Sequence, residues 1–180
     1  TRNYFLATEN GIHIDQYPPS GGYAENNTPL TYNDWYHIVY TQDGSNWWTY
    51  LNGTLDNAGN NQENYSGGSP TQALIGSRLN YIHNTFNGDI KNIAIWYDAL
   101  NETEVNEIYN SVSGNNDYTE DFGNYISSNN LEAYWQFDEG SGNTLYDHSG
   151  NGYHGTIFGA SWVESEIANS DLSSCDSDDN

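Results

Sequence analysis

The stretch from Trp35 to Gly53 constrains the fold more than any other. Trp35-Tyr36-His37-Ile38-Val39-Tyr40-Thr41 and Trp47-Trp48-Thr49-Tyr50-Leu51 are rich in aromatic and β-branched residues, the types that suit a pleated, half-buried surface. Gln42-Asp43-Gly44-Ser45-Asn46 separates them as a polar turn carrying Asp-Gly, and Asn52-Gly53 gives a second turn signal. Two such runs around such a turn predict an antiparallel hairpin. Side chains alternate across a strand, so each run buries one face and leaves the other wet. The pattern speaks to architecture and says little about activity.

Composition agrees with it. The chain of 180 residues holds 16 Tyr, 6 Trp, 5 Phe and 18 Gly, which favours strands and turns over helices. That length supports one sizeable core, or one core plus a tail. Met is absent, so the sequence reads as a mature product or a piece of a longer chain. No targeting segment starts at Thr1, and no apolar run reaches the roughly 18 residues of a membrane span. Arg2, Arg78 and Lys91 stand against 25 acidic residues, a formal charge of −22. Such a surface repels phosphate backbones and argues against a nucleic-acid partner. The acid excess reads as solubility in a salty or extracellular setting. Its sharper reading is that some carboxylates hold Ca²⁺, which selects hard oxygen ligands. Cys175 is the sole cysteine, leaving no internal disulfide and no CxxC zinc site. Asn-x-Ser/Thr sequons at Asn26, Asn52, Asn64 and Asn101 are explained mostly by the abundance of Asn, Ser and Thr.

In chain order, Tyr4–Thr8 and Ile12–Ile14 read as strands around Glu9-Asn10-Gly11, with His13 facing outward. Residues 15–29, 54–70 and 80–84 read as loops, and 73–77 as a short buried strand. Residues 89–96 read as a strand whose second half is apolar on both parities, as in a strand covered on both sides. One helix is expected over 102–112. Asn101 is its N-cap, Glu104 completes a capping box, Leu100 staples onto Val105, and Gly114 stops it. Residues 113–130 read as a linker or extended excursion, 131–137 as a strand, and 164–180 as an acidic tail that does not fold unaided.

Taken together, Trp35–Val39, Tyr50–Gly53, Leu74-Ile75-Gly76, Phe86–Ile90, Ile93–Trp96 and Glu104–Tyr109 resemble the later two-thirds of a laminin-G-like domain. That family belongs to the concanavalin A-like lectin/glucanase jelly rolls. Leu131–Gly142, Asp147–Gly152 and Gly155-Thr156-Ile157 resemble the opening of such a domain. The resemblance implies an all-β, antiparallel jelly-roll β-sandwich with one short helix, in a large bacterial-type extracellular adhesin. Residues 1–112 would form a jelly roll lacking its first strands. Residues 131–163 would then complete the same sandwich, or a neighbouring chain would fill the gap, because a sheet without those strands exposes unpaired edges. The family often carries an acid after the Ile of its Phe-x-Gly-x-Ile motif. Here Lys91 stands there, so that acid's role does not carry over, and Asp89 is the nearest substitute.

Three kinds of site come into question. Jelly-roll glucanases use a Glu-x-Asp-x-x-Glu strand; the nearest string, Glu102-Thr103-Glu104-Val105-Asn106-Glu107, falls on the expected helix and lines no cleft. No catalytic residue is assigned, and the module is read as non-catalytic. Asp89, Asp138, Glu139, Asp147, Asp176 and Asp178 are candidate Ca²⁺ ligands beside Gly- and Asn-rich turns, against the alternative of solvated turns. Trp47, Trp48, Tyr81 and His83 are candidates for a glycan platform, because aromatic faces suit sugar C–H groups. Adjacent Trp47 and Trp48 face opposite sides of a strand, so at least one packs in the core. The functional expectation is a secreted or surface-displayed adhesion module that binds glycan or protein with calcium support. The alternative is a structural repeat that assembles with neighbouring repeats or subunits into a fibre or appendage.

Overall fold

The computed structural model describes residues 2–8, 11–17, 23–25, 27–60, 74–78, 81–111 and 117–163. The described strands pair only antiparallel. Strands β1 (Arg2–Thr8), β2 (Gly11–Tyr17) and β3 (Tyr23–Glu25) form one sheet, in that order. Strands β4 (Ile38–Asp43), β5 (Asn46–Leu51) and β6 (Thr54–Asn60) form a second. The remaining strands form two-stranded pairs: β7 (Ser77–Arg78) with β8 (Tyr81–Thr85), β9 (Ile93–Trp96) with β10 (Leu131–Trp135), and β11 (Thr144–Leu145) with β12 (Gly155–Thr156). One helix, α1 (Glu102–Ser111), is present among the described residues. The architecture is the antiparallel β-sandwich with one short helix that the resemblance implies.

The Trp35–Gly53 stretch forms its hairpin as expected, with Asp43 opposite Asn46. Gly44 supplies the left-handed backbone at the first central position, φ 58°, as a tight hairpin turn requires. At the next corner Asn52 and Gly53 both take positive φ, 51° and 75°. That geometry sends the chain back as β6, with Thr54 opposite Leu51. The expected loop over 54–70 therefore begins as a strand. Cross-strand pairing after a well-specified turn outweighs the poor strand propensity of its Asn and Gly. Opposite Trp47, Gly59 has no side chain, and the indole fills that space; a Cβ there would lie 2.4 Å from a ring carbon. Within the expected loop over 80–84, the described residues 81–84 are likewise strand, paired with β7.

Trp48, Tyr50 and Val39 face one core, together with Leu100, Val105 and Ile108 of the helical segment and Leu131 and Tyr134 of β10. Trp47, Ile38, Tyr40 and Leu51 face the other side and pack with Leu30. A third cluster joins Ala133, Trp135 and Leu145 to Ile93, Phe137, Ile157 and Trp162. Strand β9 is thus apolar on both faces for a reason: Ala94 and Trp96 serve the first core and Ile93 the third.

Residues 117–130 correct the linker reading. Tyr118 and Tyr125 are buried and Phe122 packs against the same core. The Tyr118 ring lies 4.7 Å from that of Tyr134 and 6.3 Å from that of Phe122. Trp96 Nε1 donates to the Tyr125 hydroxyl at 2.8 Å, and that hydroxyl donates to the Tyr118 carbonyl at 2.9 Å. Burial pushes the Tyr125 phenol up to about 12. The polar composition of the stretch hides three aromatics that bury their area, with the Tyr125 hydroxyl kept paired.

Candidate functional site

Strand β10 pairs with β9 out of step. Leu131 is opposite Trp96, yet Ala133 is opposite Ile95, so Glu132 is an extra residue. Such a bulge reverses the facing of the residues beyond it and re-aims a side chain. Leu131 and Tyr134 accordingly both reach the first core, while Ala133 and Trp135 reach the third. Glu132 is left at the rim of an open groove of about 530 Å³. The groove runs between Tyr97 at the end of β9, Thr119, the 3-10 turn at Ser128–Asn130, and Ser149 and Asn151. Tyr97 is 83 % exposed.

Asp147, beside the groove, anchors the segment that carries Ser149 to it. Its Oδ1 accepts from the backbone N–H of Tyr134 and of Ser149, both at 2.9 Å. Its Oδ2 accepts from the Ser149 hydroxyl and the Tyr153 N–H, again at 2.9 Å. Burial opposes the charge on this carboxylate, but the hydrogen bonds from Tyr134, Ser149 and Tyr153 prevail and hold its pKa below the ordinary value. Ser149 Oγ also donates to the Glu132 carbonyl, and Asn151 Nδ2 donates to the carbonyls of Leu131 and Glu132 at 3.2 and 3.0 Å. The Tyr153 hydroxyl donates to Glu132 Oε1 at 3.0 Å, and this bond raises the Tyr153 phenol pKa. The groove therefore offers a mostly polar lining of amide side chains and a carboxylate, on a backbone fixed at several points, with the exposed Tyr97 at its edge.

The structure redistributes the residues singled out from sequence. Trp47 is buried and Trp48 half-buried, each packed against a different core. The strand alternation separates them, so they do not form one shared aromatic face. Tyr81 and His83 belong to β8, but their side chains lie outside the described residues. Asp176 and Asp178 also lie outside them. Asp89 is exposed on the segment before β9 and joins no cluster of metal-ligand type among the described residues. Asp147 has both oxygens doubly engaged, which makes it a structural hub and not an open ligand. Asp138 and Glu139 do come together, and His148, which no sequence motif singles out, joins them with ligand atoms within 4.8 Å of one another. Glu139 Oε1 accepts the Tyr146 N–H at 2.7 Å, whereas Oε2 is buried with no hydrogen-bond partner among the described residues.

The helical carboxylates are occupied elsewhere. Glu104 is buried; its Oε2 accepts from the Asn101 N–H and amide, and its Oε1 from the Ile126 N–H and the Ser127 hydroxyl. Glu107 accepts from the Asn124 N–H and amide. Both tie α1 to the segment 124–127.

A concanavalin A-type sandwich with a polar surface groove is the class of protein these elements define. The chain belongs to the Laminin_G_3 family of the concanavalin A-like lectin/glucanases superfamily, whose family profile matches residues 3–106. A solved protein of Bacteroides ovatus ATCC 8483, provisionally designated carbohydrate binding, is 20% identical with a TM-score of 0.61. The alignment covers 82% of this chain and 40% of that one. An S-layer domain-containing protein of Clostridium thermocellum ATCC 27405 is 19% identical, with a TM-score of 0.34 over 60% of this chain and 61% of that one. The Bacteroides protein shares the fold, and the present chain spans 40% of its length. No curated protein matches the sequence. No described helix is long and apolar enough to cross a membrane.

Proposed function

We propose that the chain is a non-catalytic, surface-displayed or secreted module that binds glycan in the groove between Tyr97 and Asn151. The groove itself carries this reading. Sugars present C–H faces to an aromatic ring and hydroxyls to amides and carboxylates. The exposed Tyr97 at the edge of the groove would offer the first; Asn129, Asn151 and Glu132, in a lining that is mostly polar, would offer the second. The Asn151 Nδ2 is committed to the backbone, which fixes the amide and leaves its Oδ1 directed by the protein and not by the ligand. The carbohydrate-binding designation of the Bacteroides protein agrees with the reading. A glycan array followed by calorimetry tests it. Tyr97→Ala is expected to weaken the best ligand about fivefold to tenfold, the scale of one aromatic contact, with an unchanged melting temperature. Equal affinity in both proteins, or no glycan bound at all, would overturn it.

Calcium support belongs to the same reading, and Asp138, Glu139 and His148 are where an ion fits best. The unpartnered Glu139 Oε2 favours a cation there. An imidazole in the set suits zinc-like ions better than calcium, which prefers all-oxygen ligands. Melting the chelated protein with Ca²⁺ and with Zn²⁺ added separately decides it: a rise lost in His148→Ala supports the site, and no rise with either ion removes it.

A further inference from the structure

Resting on that glycan reading, we infer that the groove selects sugars bearing a free ammonium group, an amino sugar, against neutral and acidic ones. Glu132 is the one charged side chain lining the groove among the described residues. It stands on the bulge of β10, where the extra residue turns its side chain out of the pairing pattern. One carboxylate oxygen is held by the Tyr153 hydroxyl, and the other has no partner among the described residues. An ammonium group placed there would gain a charge-assisted hydrogen bond, roughly twice as strong as a neutral one.

The remainder of the charge distribution points the same way. No basic side chain lines the groove among the described residues, and the whole chain holds only Arg2, Arg78 and Lys91 against 25 acidic residues. A uronate or sulfated sugar would meet Glu132 with no counter-charge among the described lining, inside the field of a molecule carrying a formal −22.

The test is calorimetry on the whole chain at 150 mM salt and about pH 6, where a primary amine is protonated. The probes are a glucosamine trisaccharide, its N-acetylated counterpart, and a uronate-containing oligosaccharide. The glucosamine trisaccharide is expected to bind at least about tenfold more tightly than the acetylated one, the gap of a single charged hydrogen bond, with the uronate unbound. Glu132→Gln keeps an acceptor for Tyr153 and removes the charge, so it should bring the first two together. Asp43→Asn, an equal charge change at the distant hairpin turn, should leave the gap intact and so separates local recognition from general attraction of cations. Equal binding of the amine and acetamide forms by the unmodified protein overturns the inference, as does tighter binding of the uronate, and neither result depends on a variant folding. If Tyr97→Ala still weakens those equal ligands, glycan binding stands and only the selectivity falls. If no sugar binds, both fall.

Discussion

Two side chains show how much of the stability of this sandwich rests on single polar groups. Glu104 is 3 % exposed, yet its carboxylate is fully used, closing the capping box of α1 on one side and holding Ile126 and Ser127 on the other. Glu104→Ala leaves several of those donors without a partner, and each unsatisfied buried group costs about 1–3 kcal/mol. We expect a loss of about 3 kcal/mol in urea unfolding, several times that of Glu102→Ala, which touches an exposed position. His37 makes the opposite case. Its Nδ1 is buried without a partner among the described residues, its ring lies 5.7 Å from that of Tyr109, and burial lowers its pKa to about 4. The folded protein therefore resists a proton that the unfolded chain accepts near 6.5. The stability His37 permits is complete above that value and declines as pH falls from 6.5 toward 4. Between pH 7.5 and 5 the loss from this one group is about 2 kcal/mol by linkage. His37→Phe should lack that component, so the two proteins' stabilities should diverge on acidification; parallel curves would refute it.

Among the elements, the Asn52-Gly53 corner links a turn to a helix. Gly53 has φ 75°, and a Cβ there would lie 2.7 Å from Cδ1 of Tyr109 on α1. Gly53→Ala thus combines left-handed strain with a clash, and about 2–3 kcal/mol of destabilisation is expected. Tyr109→Ala should relieve the clash but not the strain, so the double variant should lose less than the sum of the singles; strict additivity would show that the ring yields without cost. This corner, the hairpin before it and the capping box were all legible in the sequence, because turn chemistry and caps act over a few neighbouring residues. The groove was not. Its parts, Tyr97, Glu132 and Asn151, are far apart in the chain, and each reads alone as an ordinary surface residue. Glu132 is exceptional only through a one-residue slip in pairing, which no local pattern announces. Trp47 and Trp48 misled for the converse reason: an aromatic pair on a strand looks alike whether its two sides are wet or covered, and here both are covered. The aromatics at 118, 122 and 125 were obscured by polar neighbours, and the residue that pairs with Asp138 and Glu139, His148, had only its place beside Asp147 to betray it.

At the level of the whole molecule, the family match ends at residue 106, but the folding unit does not. Leu131 and Tyr134 share a core with Tyr50 and Val105, and β10 covers the edge of β9. A fragment ending at residue 112 would expose that edge and lose Tyr118, Tyr125, Leu131 and Tyr134 from the core. It is expected to show no cooperative thermal transition, whereas a fragment ending at 163 should melt as one unit. The formal charge of −22 sets the second global property. Self-repulsion weakens the compact state and salt screens it, so raising NaCl from about 20 to 500 mM should increase the melting temperature, with the largest gain below the physiological range. A melting point indifferent to salt would mean that the acids are neutralised locally.

The spare residue in β10 separates what can change from what cannot. Any side chain that tolerates water could replace the glutamate there, and the register of the strand would be kept. Deleting the position would exchange the facings of everything on one side of it, driving Leu131 or Tyr134 out of the interior. Substitution there is thus free to alter the chemistry the groove presents, but the length of that segment is held by the hydrophobic layers behind it.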